Sequence, residues 1–229
     1  MIVLLTYDHP HRKTSDVLWR LLAEGHRPKI VATPWKERKE RDFIYAHRPA
    51  ESGWPCTPNL KTPEGICENL ELEYIRTDTL DQTLNWIQPN VVVVGGAGIL
   101  PEDVVTNFKV LNAHPGLLPA RRGYDVLKWC IHDCVQVGVT AHLCDKHTDL
   151  GRRMAEIEVP VFAEDTFHAF AMRQYEMELD LLSLAVDMVK SGETGDVIHP
   201  SETQPFKRMP KEVEATLMQR FEDYKRVFS

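Results

Sequence analysis

Two polar residues end one of the apolar runs in this sequence. Asn112 and His114 stand in the stretch Leu-Asn-Ala-His-Pro-Gly, directly after Phe-Lys-Val. In a strand, alternate residues share a face, so these two side chains would point the same way, about 6.6 Å apart, with room for a carbonyl group between them. Pro115 cannot extend a strand ladder, which places His114 at the carboxyl end, where open parallel sheets bind ligands. Taken alone, the pair also fits a purely structural role.

A second polar cluster lies in the stretch Gly-Val-Thr-Ala-His-Leu-Cys-Asp-Lys-His-Thr-Asp-Leu-Gly, residues 138–151. A strand with His142 on one face leads into a loop that carries Asp145 and Asp149. Asp149 follows His114 of the first motif by 35 residues. His147, in the same loop, is expected to be solvated.

The elements that must position these residues alternate between strand-like and helical patterns. This alternation predicts an α/β protein with a Rossmann-like, doubly wound, mostly parallel sheet. The run Val91–Val94 is apolar at every position, so it is expected at the centre of the sheet. The predicted strands are MIVLLTY, KIVAT, LEYIR, NVVVVGG, FKVLNAH and GVTAHLC.

Helical patterns are predicted in five places, one of them between the strands LEYIR and NVVVVGG. Helices are predicted at about residues 14–24, over the charged stretch 35–41, and over 166–190, where apolar residues recur every three or four positions. After a short strand, DVIHP, a final helix is expected to open at Pro210. The segment 48–71 is too long for an ordinary connection, and it is either a functional loop or a plain surface excursion.

Composition excludes several classes of protein. The 229 residues are 43% hydrophobic and 27% charged, as in ordinary globular proteins, and no apolar run approaches the roughly 18 residues of a membrane span. The first residues resemble a strand more than a signal peptide, so a cytoplasmic location is expected and no membrane partner. A net charge of −7 disfavours nucleic acid. Five irregularly spaced cysteines favour neither a disulfide framework nor a metal site.

The motifs together resemble the folate-dependent formyltransferases, which include glycinamide ribonucleotide, methionyl-tRNA and sugar-amine N-formyltransferases. NAHPGLLPARRG, GVT and DLG occur in the family's order and spacing. VVVVGGAGILPEDVV is similar to the family's strand and turn, and VPVFAEDTFHAFAMRQYEMELDLL to its post-catalytic strand and helix. The resemblance is strong over residues 85–192 and weaker before. It implies the formyltransferase fold, with a catalytic domain at 1–192 and a C-terminal strand–helix extension at 193–229.

The resemblance also implies roles for three residues. An amine of the acceptor would attack the formyl carbon of 10-formyltetrahydrofolate, the co-substrate, and no metal is implied. Asn112 would donate to the developing oxyanion, and His114 would assist there and in proton transfer. Asp149 would orient the histidine and shuttle the amine proton. An amide donor aimed at an oxyanion suits this chemistry.

Binding residues follow from the same resemblance. The folate pterin is expected against a turn and the loop after the strand of His142, through Gly98, Ile99, Leu100, Asp145, Lys146 and Thr148. The acceptor is expected to contact Arg12, Lys13, Arg122, Gly123 and Tyr124. Arg12 and Lys13 stand at a predicted helix start, where they either hold a phosphate or form a basic surface cap.

The identity of the acceptor rests on two departures from other branches. Methionyl-tRNA members carry a further nucleic-acid-binding domain, whereas only a short tail follows residue 192 here. Glycinamide ribonucleotide members have a Gly-Ser/Thr-Asn phosphate loop after the first strand, but TYDHPHRKTSDVL has no glycine. The chain therefore most resembles the sugar N-formyltransferases, which act on nucleotide-linked or related amino sugars and often form homodimers. A phosphoribosylglycinamide formyltransferase and a non-catalytic folate or nucleotide sensor remain alternatives.

Overall fold

The computed structural model describes residues 1–36, 43–49, 51, 54, 61–147, 149–200 and 204–229. Most of the charged stretch predicted as a helix at 35–41 lies outside these residues, as does much of the segment 48–71. Within the described residues, no helix is long and apolar enough to cross a membrane.

One eight-stranded sheet forms the centre of the molecule. The strands are β1 (Ile2–Tyr7), β2 (Lys29–Thr33), β3 (Tyr74–Arg76), β4 (Val91–Val94), β5 (Val110–His114), β6 (Gly138–Cys144), β7 (Gly151–Glu158) and β8 (Asp196–Ile198). Their order in the sheet is β3-β2-β1-β4-β5-β6-β7-β8. The pairs from β3 through β5 are parallel, and those from β5 through β8 are antiparallel. The predicted mostly parallel α/β fold is confirmed, with Val91–Val94 in the middle of the sheet.

Helices cover both faces of this sheet. They are α1 (Arg12–Ala23), α2 (Pro63–Leu70), α3 (Leu80–Ile87), α4 (Glu102–Asn107), α5 (Val126–Asp133), α6 (Phe167–Lys190), α7 (Lys211–Glu214) and α8 (Leu217–Phe228). On one face, Leu4 and Leu111 pack with residues of α1 and α6. On the other face, Val3 and Val92 pack with residues of α3. Each fully buried aliphatic side chain contributes about 1.5–3 kcal/mol to this core.

Three helical regions differ from the sequence prediction. α1 begins at Arg12 instead of Thr14, because the side chain of His11 caps the helix by accepting from the backbone N–H of Thr14. Segment 48–71 contains α2, whose N-cap Thr62 accepts from the N–H of Gly65 at 3.1 Å. The final helix is divided into α7 and α8, and Pro210 precedes it as the N-cap.

The strand expected at VPVF lies earlier in the chain. It is β7, which ends at Glu158 and pairs antiparallel with β6. Pro160 has no backbone N–H and so cannot continue the ladder. The long helix predicted at 166–190 and the short strand predicted in DVIHP are both confirmed, as α6 and β8.

Candidate active site

Strand pairing brings the two sequence motifs together. Asn112 lies opposite His142, and His114 lies opposite Thr140, in the antiparallel ladder of β5 and β6. Directly opposed residues share a face of the sheet, so their side chains are neighbours. The β6–β7 ladder has an irregularity between Ala141 and His142, and such bulges are common beside active sites.

The loop after His114 is held by two side chains. The hydroxyl of Thr140 donates to the carbonyl of Gly116 at 2.7 Å and accepts from the N–H of Leu118 at 3.1 Å. The amide of Gln174, on α6, donates to the carbonyl of Pro115 at 3.1 Å. Both polar residues are buried, and both satisfy backbone groups that have no partner in the strand ladder.

His114 and Asp149 form a buried pair. The Nδ1 atom of His114 lies 3.4 Å from Oδ1 of Asp149, and its Nε2 atom lies 2.8 Å from the carbonyl oxygen of Arg121. A carbonyl oxygen only accepts, so Nε2 carries the hydrogen in this arrangement and Nδ1 faces the carboxylate. The other oxygen of Asp149, Oδ2, accepts from the N–H of Gly123 at 2.8 Å.

The surroundings of Asp149 keep it ionised. Burial alone would raise its pKa, but the hydrogen bond and charge of His114, together with the N–H of Gly123, outweigh burial and lower the pKa to about 2. Asp149 also has a left-handed backbone conformation, with φ of 53°, which aspartate tolerates better than most residues. The site therefore holds a carboxylate that is ionised at neutral pH.

His142 presents a neutral nitrogen in the same site. Burial, followed by the charge of His114, lowers the pKa of His142 to about 4. Its Nδ1 atom lies 2.9 Å from the carbonyl oxygen of Leu150, so the hydrogen is on Nδ1. Among the described residues, the buried Nε2 atom has no hydrogen-bond partner. His142 is therefore a buried acceptor beside Asn112.

The segments expected to contact the folate are neighbours. The loop after β6 approaches the start of α4, since Nζ of Lys146 lies 3.4 Å from Oε1 of Glu102. Asp145 accepts from the N–H of His147 at 2.8 Å and so shapes its own loop. Thr148 lies outside the described residues. His147 is exposed, as predicted.

The turn at residues 98–100 precedes α4. Ile99 is fully exposed, and Leu100 is half-buried against the core. A side chain at Gly98 would meet no atom within 4 Å, so the backbone is open to a ligand there. Gly95 differs, because a Cβ at that position would contact Leu4 and Thr14. The backbone at Gly95 therefore packs closely against β1 and α1.

The residues expected to bind the acceptor divide into two groups. Arg12 and Lys13 pair with carboxylates of helices, Asp16 and Glu178, each at 2.6 Å. The other group, Arg122, Gly123 and Tyr124, belongs to the loop that contacts His114 and Asp149. Tyr124 is 56% exposed, and the guanidinium of Arg208 lies 4.8 Å from its ring centre.

An aromatic cluster next to the start of α1 escaped the sequence analysis. The ring of Trp35 stacks on His9 at 5.2 Å and meets Tyr7 edge-on at 4.8 Å. Tyr7 also meets the capping residue His11 edge-on at 5.5 Å. These residues come from the carboxyl ends of β1 and β2, and only the aromatic composition of TYDHPH and TPW signals them.

Glu178 is a second residue that sequence reasoning missed. Its carboxylate is fully buried and accepts from Lys13 and Arg48, at 2.6 Å in each case. Lys13 also reaches the carbonyl of Ala113, on β5, at 3.5 Å. The available signal was a glutamate four residues after Gln174, at a position where the spacing of α6 demands an apolar residue.

Metal-ligand spacing occurs once among the described residues, away from the site. Side-chain atoms of Glu24, His26 and Asp187 lie within 4.8 Å of one another. Lys190 already approaches Asp187 at 3.4 Å, so an ammonium group partly neutralises this cluster. Cys130 is a free buried thiol whose pKa burial raises to about 12.

The fold and the site define a Rossmann-like α/β protein with a buried histidine–carboxylate pair at the end of a central strand. Residues 46–186, more than half of the chain, match the model of the formyl transferase family. The chain belongs to this family. The predicted resemblance is confirmed at that level.

Individual relatives span several branches of the family. The methionyl-tRNA formyltransferase of Trichlorobacter lovleyi is 29% identical over 74% of this chain and 48% of its own length. The chain thus spans about half the length of the curated relatives it matches.

Solved structures share the fold. A sugar N-formyltransferase from Shewanella sp FDAARGOS_354 aligns with a TM-score of 0.60 and 20% identity, over 96% of this chain and 87% of that one. A phosphoribosylglycinamide formyltransferase from Streptococcus pneumoniae TIGR4 aligns with a TM-score of 0.58 and 18% identity, over 82% and 98%. At these identities the likeness concerns the fold alone.

Proposed function

We propose that this protein is an N-formyltransferase that moves the formyl group of 10-formyltetrahydrofolate to an amine. The observation that carries the proposal is the pairing of His114 with Asp149, which comes from a second motif, on the strand face that His114 shares with Asn112. An ionised carboxylate paired with a histidine beside an amide donor supplies the groups that acyl transfer to an amine needs.

The site has features that suit a folate. Residues 98–100 offer open backbone at Gly98 and apolar surface at Ile99 and Leu100. The buried Nε2 atom of His142 is an acceptor, and ring N–H groups of a pterin are donors. We assign the folate to this side, with Asp145 and Lys146 in the adjoining loop.

The proposed reaction forms one C–N bond and breaks another. The acceptor amine attacks the formyl carbon, and the carbonyl electron pair moves to oxygen, where the side-chain N–H of Asn112 donates to the oxyanion. Asp149 accepts the proton that the amine gives up, and the facing Nδ1 of His114 shares it. The C–N bond to the folate then breaks, and the proton returns to the leaving nitrogen.

We propose an amino sugar, nucleotide-linked or related, as the acceptor. At the first strand–helix turn His11 caps α1, and Arg12 and Lys13 are paired with carboxylates, so this turn is a poor phosphate cradle. The nearby rings of His9 and Trp35 instead suit stacking on a sugar or a base. Arg122, Gly123 and Tyr124 border the acceptor amine from the other side.

The test is formyl transfer from 10-formyltetrahydrofolate to a panel of nucleotide-linked amino sugars and glycinamide ribonucleotide, followed by product mass. Asn112→Ala should lower kcat about 10²- to 10³-fold with little change in the KM of the acceptor, because the amide acts in the transition state. The exposed Asn107, at the end of α4, provides the control Asn107→Ala, which should keep wild-type kcat.

Each outcome separates the candidates. Transfer to an amino sugar supports the proposal and identifies the substrate. Transfer to glycinamide ribonucleotide alone would mean that this ribonucleotide, and not an amino sugar, is the acceptor. Folate binding without transfer to any amine would favour the sensor. An unchanged kcat in Asn112→Ala would remove the proposed oxyanion role.

A further inference from the structure

The loop at residues 121–125 supplies two of the contacts that orient the proposed catalytic pair. The carbonyl of Arg121 holds Nε2 of His114, and the N–H of Gly123 holds Oδ2 of Asp149, both at 2.8 Å. Both partners are backbone groups, so the path of this loop fixes where the imidazole and the carboxylate point. The loop itself must therefore be fixed by contacts with another part of the chain.

Residues 206–209, here called the clamp segment, bond to the backbone of that loop. The N–H of Phe206 donates to the carbonyl of Arg122 at 2.8 Å, and the carbonyl of Phe206 accepts from the N–H of Tyr124 at 2.9 Å. These two bonds flank Gly123 in an isolated parallel bridge. A Cβ on Gly123 would collide with the carbonyl of Phe206, so the two backbones touch.

The side chain of Phe206 anchors the clamp segment. Its ring stacks on Trp129 of α5, with ring centres 5.5 Å apart and planes at 22°, and the guanidinium of Arg121 lies 5.2 Å from the ring centre. The indole N–H of Trp129 donates to the carbonyl of Lys207 at 2.8 Å. Asp125 accepts from the N–H of Met209 at 3.0 Å. Each contact joins the clamp segment to the loop or to the helix that follows it.

We propose that Phe206 is a positioning residue for the His114–Asp149 pair, and that it acts through the loop at 121–125. The expected loss of kcat rests on the proposed function, whereas the contacts of Phe206 are independent of it. Phe206 stands in the chain after the proposed catalytic domain and touches neither reacting group. The ring of Phe206 fixes the position of the backbone bridge at Gly123. The bridge in turn fixes the carbonyl of Arg121 and the N–H of Gly123, which contact the pair.

The test compares Phe206→Ala with Phe206→Tyr, which keeps the ring, and with Phe162→Ala as a matched control. Phe162 packs on the guanidinium of Arg173 at 4.5 Å near the start of α6, so its truncation removes a similar ring–arginine contact elsewhere. Phe206→Ala should lower kcat about 10- to 100-fold with less than about a threefold change in either KM, because small misplacements of reacting groups cost this much. Phe206→Tyr and Phe162→Ala should retain wild-type kcat.

A second readout is independent of turnover. In amide NMR at neutral pH, the Gly123 signal should move upfield and exchange faster in Phe206→Ala, because its bond to Asp149 loosens, while the control leaves it in place. If the wild type transfers no formyl group, the proposed function fails and this signal still decides the inference. An unmoved Gly123 signal, or an equal loss of kcat in Phe162→Ala, would overturn it. If Phe206→Ala does not fold, Phe206→Leu takes its place with the same criteria.

Discussion

The molecule holds two carboxylates of similar acidity by different means. Burial would raise the pKa of Glu178, but the charges of Arg48 and Lys13 outweigh it and lower the pKa to about 2. Asp149 has a pKa of about 2 as well, yet its partners are a histidine and one backbone N–H. The first carboxylate is fully buried on a helix, and the second lies in a loop with 17% of its side chain exposed.

Under the proposed function, this difference separates a structural carboxylate, Glu178, from a reactive one, Asp149. Both partners of Glu178 are permanent cations, so a proton taken up there would leave two buried charges uncompensated. Asp149 faces an imidazole nitrogen, which can share a proton with it, and solvent or substrate can reach it. Low pKa alone therefore does not mark the site; the titratable partner and the access do.

The largest effect is expected from Asp149→Asn. The amide oxygen can still accept from the N–H of Gly123, but the charge that faces His114 is lost, so kcat should fall about 10²- to 10⁴-fold. The free energy of unfolding should fall by about 2 kcal/mol or less, the amount linked to the lowered pKa of this carboxyl. Steady-state kinetics and urea unfolding measure the two quantities, with the exposed Asp196→Asn as control. A variant that unfolds readily but keeps kcat would make Asp149 a structural residue.

Glu178→Gln should give the opposite pattern. It leaves the half-buried charges of Lys13 and Arg48 without their fully buried carboxylate, which should cost about 3 kcal/mol of unfolding free energy, the lower end of the range for a broken buried pair. Glu176→Gln, two residues earlier on α6, breaks a half-exposed pair with Arg20 and should cost about 0–1 kcal/mol. Equal losses in urea unfolding would mean that burial does not distinguish the two glutamates.

The smallest predicted effect is the loss of folding stability in acid. Glu178, Asp149 and Glu51 all have folded pKa values of about 2, below the ordinary 4.5 for glutamate and 3.8 for aspartate. Their contribution to stability is therefore complete above those ordinary values and is lost as the pH falls toward 2. From pH 7 to pH 4 the three should lose roughly 2 kcal/mol together.

Urea unfolding at the two pH values measures this loss. In Glu51→Gln the difference between pH 7 and pH 4 should be smaller than in the wild type, because one titrating group has been removed. An unchanged difference would mean that Glu51 keeps its ordinary pKa when folded.

Local patterns were enough to predict much of this molecule. The apolar run at Val91–Val94 and the periodicity of α6 indicated their elements correctly, since each depends on neighbours in sequence. The shared face of Asn112 and His114 follows from the two-residue period of a strand. Their meeting with Asp149 was expected from the resemblance to the family.

Contacts between distant parts of the chain were not predictable in this way. No spacing links Phe206 to Gly123, because a bridge between backbones leaves no mark on side-chain identity except the glycine itself. The ion pair of Lys13 with Glu178 joins α1 to α6, so both cations of α1 were assigned to the acceptor without knowledge of their partners. β7 was missed because its partly exposed residues do not alternate cleanly.

The reversed direction of β6 has a consequence for how this site can change. Cys144 ends β6 at the side of Leu111, away from His114, so Asp149 has to be carried back across the sheet face by the residues between. That loop is a tether of fixed length: one inserted or deleted residue shifts its reach by up to about 3.5 Å, more than a hydrogen bond tolerates. The types of residue in the loop can vary, but the number of residues in it is constrained by geometry.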